Sequence, residues 1–372
     1  MTERLNRAIV AGVGACVMIA SGVLDQPSAI AGVDFNTIML LAGMMIIVGI
    51  SRRSGMFQYV AIWTAKRARG RPAGILIGLA LATGLLSALL DNVTTVLLVV
   101  PVTLAIAGEL RVPAFPFLFA EVIASNIGGT ATLIGDPPNI LIGSKAHLSF
   151  NDFVLNLTPV ILVVLAATAL ILHFQYGRKL RTDEEHRVRV LAMNERDVIT
   201  DVLLLRQSLA VILVVIAAFV LARRIGLEPG SIAMFGATLL VLLDNWAHPA
   251  NKQAERVHQT FGDIEWITLF FFMGLFIVVA GVEHAGLLRI LGEKLLAATK
   301  GNLALTASAV LWGSAILSAI VDNLPFVATM IPLLQSLAPA MGGPQAIEPL
   351  WWALSLGACL GGNGTLIGAS AN

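Results

Sequence analysis

The chain contains two copies of one pattern, and this internal repeat restricts the fold more than any other sequence feature. Residues 34–101 align without a gap on residues 265–332. After a slip of two residues, GGTATLIGDPPN at 128–139 faces GGNGTLIGASAN at 361–372. Self-similarity over such a length predicts two structurally equivalent halves.

Most of the chain is predicted to be surrounded by lipid. Hydrophobic residues make up 57% of the sequence and charged residues only 13%. Several apolar runs approach the roughly 20 residues that a helix needs to cross about 30 Å of hydrocarbon. Because these runs are continuous rather than alternating, they exclude a membrane β-barrel. A formal net charge of +1 disfavours nucleic-acid binding. The sequence therefore predicts an all-α polytopic membrane protein in contact with the lipid bilayer.

Lysine and arginine concentrate in two segments, which the positive-inside rule assigns to the cytoplasm. Six lie between residues 52 and 71, and five lie between residues 178 and 189. The loop predicted in the second repeat at the place of the first segment has only Arg289, Lys294 and Lys300, diluted by two glutamates. The two repeats are therefore predicted to be inverted, with a cytoplasmic N-terminus.

The predicted organisation has four parts. Residues 1–33 form an N-terminal transmembrane helix, which is interpreted as retained because no convincing cleavage site follows it. Repeat 1 spans 34–175, a cytoplasmic linker with two transmembrane helices spans 176–264, and repeat 2 spans 265–372. Repeat 2 is expected to be truncated, because repeat 1 continues through a further helix.

Each repeat is predicted to contain a re-entrant hairpin and a discontinuous helix. Polar residues occupy the middle of the apolar segment 72–108, where non-helical backbone is tolerated only inside protein or beside a cavity; its counterpart is 303–340. Glycine and proline interrupt the segment 114–145, and its counterpart begins at 349. Interrupted segments at matching places in two halves indicate a transporter's binding site near the bilayer midplane.

Neutral polar side chains around the hairpin tips and breaks are the candidate ligands of a substrate or ion. Half-helix N-termini attract anions, and unwound carbonyls can hold cations. The alternative is that these side chains only cap broken backbone and hold helices together. The candidates are Asn92, Thr94, Thr95, Ser125, Asn126, Thr130, Thr132, Asn323, Asn363 and Thr365.

Four carboxylates are candidates for proton or cation coupling. Asp91 and Asp322 occupy equivalent hairpin tips, and a carboxylate within a membrane segment indicates function by default because it is costly. The alternative is that each caps its own tip, as aspartate does in turns. Asp136, whose counterpart is Ala369, and Glu121 are the other two candidates.

Other chemistries find little support. No histidine has a second metal ligand at a helical spacing, Cys16 and Cys359 are far apart, and neither glycine-rich break follows a strand or fits a P-loop. We expect no catalytic residues, no metal and no cofactor beyond a coupling Na⁺ or H⁺. Whether the protein associates with an ATPase partner is left open by the sequence.

Two blocks, DNVTTVLLVVP and SNIGGTATLIGDPPNILIGS, resemble the ion transporter superfamily, in the branch of arsenite-permease-like proteins and the pink-eyed-dilution (P) protein, which share a citrate-transporter-like domain. The resemblance spans nearly the whole chain and implies inverted repeats, a scaffold, a mobile transport region and a homodimer. It also implies that Gly128, Gly129, Gly361 and Gly362 belong to the site. Related dicarboxylate symporters have Ser-Asn-Thr at their tips. This chain has Asp-Asn-Val and Asp-Asn-Leu, which weakens a dicarboxylate assignment.

We therefore expect a secondary active transporter in the plasma membrane of a bacterium. Its expected solute is a small inorganic anion, or an oxyanion or hydroxide such as arsenite, moved with ion coupling and alternating access. The tip carboxylates favour one alternative, a sodium/proton antiporter. A di- or tricarboxylate symporter and a channel are further alternatives.

Overall fold

The computed structural model describes residues 5–246 and 248–372. Within these residues the chain forms nineteen α-helices and no strand. Eight helical segments are long and apolar enough to cross a membrane. The prediction of an all-α polytopic membrane fold is confirmed. The first four residues of the N-terminal helix predicted over 1–33 lie outside the described residues.

The first ten helices extend to the end of the region predicted as repeat 1. They are α1 Arg7–Ala20, α2 Gln26–Gly32, α3 Phe35–Arg52, α4 Met56–Arg67, α5 Pro72–Leu89, α6 Asn92–Glu109, α7 Phe115–Gly129, α8 Pro137–Ala146, α9 Phe150–Asn156 and α10 Thr158–Leu172. A π-helical turn, His173–Gly177, continues α10.

The remaining helices cover the linker and the second repeat. They are α11 Glu184–Ala192, α12 Val202–Ile225, α13 Pro229–Trp246, α14 Ala250–Gly262, α15 Trp266–His284, α16 Leu287–Thr299, α17 Leu303–Ile320, α18 Asn323–Leu337 and α19 Glu348–Gly361.

The backbone repeats its unusual conformations at equivalent positions of α3–α7 and α15–α19. Gly55 and Gly286, which precede α4 and α16, have φ values of 83° and 75°. Arg69 and Lys300, which follow the same two helices, have φ values of 56° and 52°. Left-handed backbone is uncommon for residues other than glycine. The matching pairs therefore show that the aligned sequences adopt equivalent local structures.

The two basic segments compared in the repeats are helices rather than loops, so the prediction of loops there is wrong. In α4 the apolar residues Met56, Phe57, Ile62 and Ala65 are buried. The basic residues Lys66 and Arg67 follow in the last turn, where they suit the negative end of the helix dipole. Residues 56–65 of α4 contain no charged residue, but they are too few to be recognised as a membrane span.

Two residues connect the helices of each hairpin. Leu90 and Asp91 lie between α5 and α6, and Val321 and Asp322 lie between α17 and α18. The next helix of each repeat, α7 or α19, packs along the first helix of its hairpin. Irregular backbone at 130–136 separates α7 from α8.

One of the helices that precede each repeat packs against the opposite repeat. Helix α1 lies along α15, and α13 lies along α3. A Cβ added to Gly274 would lie 2.7 Å from the backbone of Ala11, and one added to Gly43 would lie 2.7 Å from that of Ala233. These distances show that both pairs of helices are in close contact. Small residues permit such approach between membrane helices. The exchange interlocks the two halves.

Candidate functional site

Glycines bring the broken helices close to the hairpins. A Cβ on Gly128 would overlap the carbonyl oxygen of Gly84 in α5. At the equivalent position, a Cβ on Gly361 would lie 2.5 Å from the carbonyl oxygen of Ala315 in α17. Both positions require a residue without a side chain. Gly129 is equally confined, since its Cβ would lie 2.5 Å from the carbonyl oxygen of Gly135.

Equivalent hydroxyl groups connect each hairpin to its broken helix. Ser87 donates to the carbonyl of Ser125 at 2.7 Å, and Ser318 donates to the carbonyl of Ala358 at 2.6 Å. The hydroxyls of Thr132 and Thr365 donate in the other direction, to the carbonyls of Ala88 and Ala319. The hydroxyl donors of Thr132 and Thr365, two of the predicted site residues, are thus engaged in holding the breaks.

The two tip aspartates are N-caps. Asp91 Oδ1 accepts from the backbone N–H of Thr94 at 2.8 Å, and Asp322 Oδ1 accepts from that of Leu324 at 3.0 Å. Asp322 also forms an ion pair with Arg7 at 3.1 Å. Among the described residues, no lysine or arginine pairs with Asp91. The repeated aspartates therefore have the same capping role, but they cap different backbone N–H groups, three residues on for Asp91 and two residues on for Asp322, and they have different charge environments.

A chain of carboxamide side chains connects the first hairpin tip to both breaks. Asn92 Nδ2 donates to Asn126 Oδ1 at 3.1 Å and to Asp136 Oδ1 at 3.2 Å. Asn126 Nδ2 in turn donates to Asn363 Oδ1 at 2.9 Å and to Asn372 Oδ1 at 2.8 Å. We call these five residues the amide chain. Its bonds from Asn126 to Asn363 and Asn372 join polar side chains of the two halves directly.

Asn139 stabilises the first break from inside. Its Nδ2 donates to the carbonyls of Thr130 and Thr132 at 3.1 and 3.0 Å. Its Oδ1 accepts from the hydroxyl of Ser355 in α19 at 2.6 Å. The first break is therefore held by a contact from the second half.

Asn372 has the same role in the second break. Its Nδ2 donates to the carbonyls of Gly362 and Thr365, both at 2.7 Å. Its Oδ1 accepts from Asn126 of the first half. Sequence reasoning missed this function, although Asn139 and Asn372 end the two aligned glycine-rich blocks.

Asp136 is the one carboxylate of the amide chain and is 1% exposed. It is the N-cap residue of α8, but its side chain makes no capping hydrogen bond. Asn92 donates to Oδ1, whereas Oδ2 has no hydrogen-bond partner among the described residues. This free oxygen could bind a proton or a cation.

The structure does not bring every predicted site residue into the amide chain. Glu121 is fully buried between α6 and α7, where it accepts from the hydroxyl of Thr103. Asn323 is buried, and its backbone N–H donates to the carbonyl of Gly368 at 3.1 Å. The hydroxyls of Thr95 and Ser125 are buried without a partner among the described residues. Among the described residues, none of these side chains is hydrogen-bonded to the amide chain.

Comparison with known proteins identifies the family. The sequence model of the citrate transporter family matches residues 1–357. The chain belongs to this family. An uncharacterized transporter of Mycobacterium bovis is 44% identical over 375 residues, which cover all of this chain and 85% of that protein. The P protein of Homo sapiens is 34% identical over 453 residues, which cover all of this chain and 53% of that protein.

The fold of this citrate transporter family member also has a solved counterpart. The YdaH transporter of Alcanivorax borkumensis matches with a TM-score of 0.61 at 12% identity, covering 95% of this chain and 88% of that one. The resemblance noted from the sequence is thereby confirmed. The protein is a multi-pass integral membrane transporter.

The amide chain of this family member contains hydrogen-bond donors and acceptors from both halves. Within residues 5–246 and 248–372, no group of three or more His, Cys, Asp or Glu side chains is arranged to hold a metal ion.

Proposed function

We propose that the protein is an ion-coupled secondary active transporter whose solute binds at the amide chain and crosses the membrane by alternating access. The observation that carries this proposal is the direct bond between the halves, from Asn126 to Asn363 and Asn372. Carboxamides exchange hydrogen bonds with a solute or with water at little net cost, because one set of bonds replaces another. Such a site can both bind and release.

The solute that suits the site best is a small uncharged hydroxide, such as the arsenite-like species expected from the sequence. Helix N-termini normally favour anions. The N-termini of α6, α8 and α18, however, each already have an aspartate as N-cap, namely Asp91, Asp136 and Asp322. Arg7, which lies nearby, is paired with Asp322. This arrangement disfavours a di- or tricarboxylate, which would need further positive charge.

A sodium/proton antiporter is the second candidate, and Asp136 favours it. Its unpartnered Oδ2 lies in a buried site that also has the amide oxygens of the chain. Carboxylate and amide oxygens are suitable ligands of a hard cation, and a carboxylate can instead accept a proton. The same residue would be the ion-coupling group of a solute carrier.

The proposed setting is the plasma membrane of a bacterium, with a cytoplasmic N-terminus and a homodimeric assembly. The excess of lysine and arginine in 52–71 and 178–189 supports this orientation.

Transport by the purified protein in proteoliposomes tests the proposal. A pH gradient and a sodium gradient would be imposed in turn, while uptake of arsenite, phosphate-like anions and dicarboxylates is measured. Saturable arsenite uptake that requires one gradient is the expected result. Proton movement driven by sodium alone would establish the antiporter instead. Non-saturable arsenite uptake that requires neither the pH gradient nor the sodium gradient would contradict both the solute carrier and the antiporter, and would indicate a channel.

A further inference from the structure

Two cavities lie at opposite ends of α8, and we infer that they form the route of the solute, with the larger one an outer binding site. The rim cavity, about 290 Å³, lies between the start of α3, the end of α8 and the turn from α12 to α13. The tip cavity, about 40 Å³, lies beside the first hairpin tip and contains Asp91 and Thr94. This inference rests on the proposed transport function.

Helix α8 runs from one cavity to the other. Pro137, its first residue, lines the tip cavity, whereas Gly143 and Ser144 line the rim cavity. Ile140, in the middle of the helix, lines both. Ten helical residues span about 15 Å. The helix therefore connects the rim cavity with Asp136, which directly precedes it.

A thin apolar layer separates the two cavities. Leu40 and Leu133 line the rim cavity, and the residues that follow them, Leu41 and Ile134, line the tip cavity. Ile140 completes the layer with 2% exposure, and the other four are between 1% and 4% exposed. A short apolar constriction excludes water and ions until it widens. The layer has the position and chemistry of a gate.

The rim cavity has polar groups suited to a small neutral hydroxide. Asn36 Nδ2 donates to Ser144 Oγ at 3.4 Å, and Asn36 Oδ1 accepts from the backbone N–H of Gly230. Arg223 at the edge of the cavity is paired with Asp152 at 2.6 Å. His147 adds a donor or an acceptor, and the carboxylate of Glu228 adds two acceptor oxygens. These groups can hydrogen-bond the hydroxyls of a polar ligand both as donors and as acceptors.

Cysteine accessibility tests the gate without reference to transport. The background is Cys16→Ala, which removes the exposed thiol and leaves only the fully buried Cys359. We expect Ser144→Cys to react with an impermeant thiosulfonate from one side and Met45→Cys, in the tip cavity, to be protected. Adding Ile140→Ala should make Met45→Cys reactive from the same side. Unchanged protection of Met45→Cys would overturn the gate.

Transport after labelling tests the outer site. Modified Ser144→Cys should lose uptake, and arsenite present in excess should slow its labelling. The matched control is Ser231→Cys, an exposed position near the same end of the fold that does not line the cavity. Full uptake after complete modification of Ser144→Cys would overturn the outer site while leaving the transporter intact. Absence of uptake in the unmodified protein would instead overturn the proposed function, and the accessibility result would still decide the gate.

Discussion

At the residue scale, the two halves hold each other's irregular backbone. Asn126 and Cys359 are equivalent in the repeat alignment. Asn126 donates to Asn372 at 2.8 Å, and the thiol of Cys359 lies 3.6 Å from Asn139 Oδ1. The same reciprocal contact is thus made by a strong donor in one direction and a weak one in the other. This asymmetry makes the two breaks chemically distinct.

Substitution of Asn139 by alanine should destabilise the fold. The carbonyls of Thr130 and Thr132 and the hydroxyl of Ser355 would all lose a partner. Each unsatisfied buried group costs about 1–3 kcal/mol. Thermal unfolding in detergent should show a clearly lower midpoint for Asn139→Ala. Asn156→Ala, at an exposed position of α9, should leave the midpoint unchanged. Equal midpoints for the two variants would contradict the bracing role.

The ion dependence of transport should respond unequally to the two tip aspartates. Asp91 has no cationic partner among the described residues, whereas Asp322 is paired with Arg7. We expect Asp91→Asn to shift the pH or sodium dependence of uptake more than Asp322→Asn does.

A double-mutant cycle separates capping from charge at the second tip. Arg7→Gln should alter uptake in the wild-type background and have little further effect on Asp322→Asn, because the two residues share one interaction. If neither aspartate variant changes the ion dependence, both residues serve only as caps.

At the element scale, the hairpins and broken helices were accessible from sequence because glycine, proline and repeated polar residues mark them. Helices α4 and α16 were not, since both are short, and the basic residues at the end of α4 and the charged residues within α16 are characteristic of loops. The role of Asn139 was also missed, because an asparagine after two prolines is as typical of a turn as of a side chain that donates to the carbonyls of a helix break. Which break the Asn139 side chain supports depends on contacts between residues that are distant in sequence.

The crossing of α5 and α7 should not tolerate a methyl group. In Gly128→Ala the new Cβ would overlap the carbonyl of Gly84, so the helices must separate at a cost of about 1–3 kcal/mol or more. Gly361→Ala should behave similarly at the equivalent crossing. The matched control is Gly108→Ala in α6, where a Cβ meets nothing within 4 Å. Folded yield after detergent extraction should fall for the first two variants only; normal yield for Gly128→Ala would contradict the close crossing.

At the scale of the whole molecule, the exchange of α1 and α13 makes the halves one interlocked body. The repeat alignment predicts two equivalent halves, but it contains no information on which helix packs against which half. That choice depends on surface matching between small residues such as Gly274 and Ala11.

An engineered disulfide should confirm the exchange. A Cβ at Gly14 would lie 3.0 Å from a methyl carbon of Val278, a separation compatible with disulfide geometry. In the Cys16→Ala background, Gly14→Cys with Val278→Cys should cross-link on mild oxidation. A protease site inserted between α11 and α12 would then yield fragments that separate only after reduction. Gly12→Cys with Val278→Cys is the control, because Gly12 has no such neighbour; equal cross-linking of both pairs would contradict the packing of α1 on α15.

If side chains of both halves form one solute site, solute exchange should depend on Asn126, which connects them. Proteoliposomes preloaded with arsenite would be assayed for uptake of labelled arsenite without any gradient, so that ion coupling does not enter the result. Asn126→Ala, which breaks the bonds to Asn363 and Asn372, should lose exchange, whereas Asn156→Ala should match the wild type. Wild-type exchange by correctly inserted Asn126→Ala would show that the solute does not bind at the amide chain.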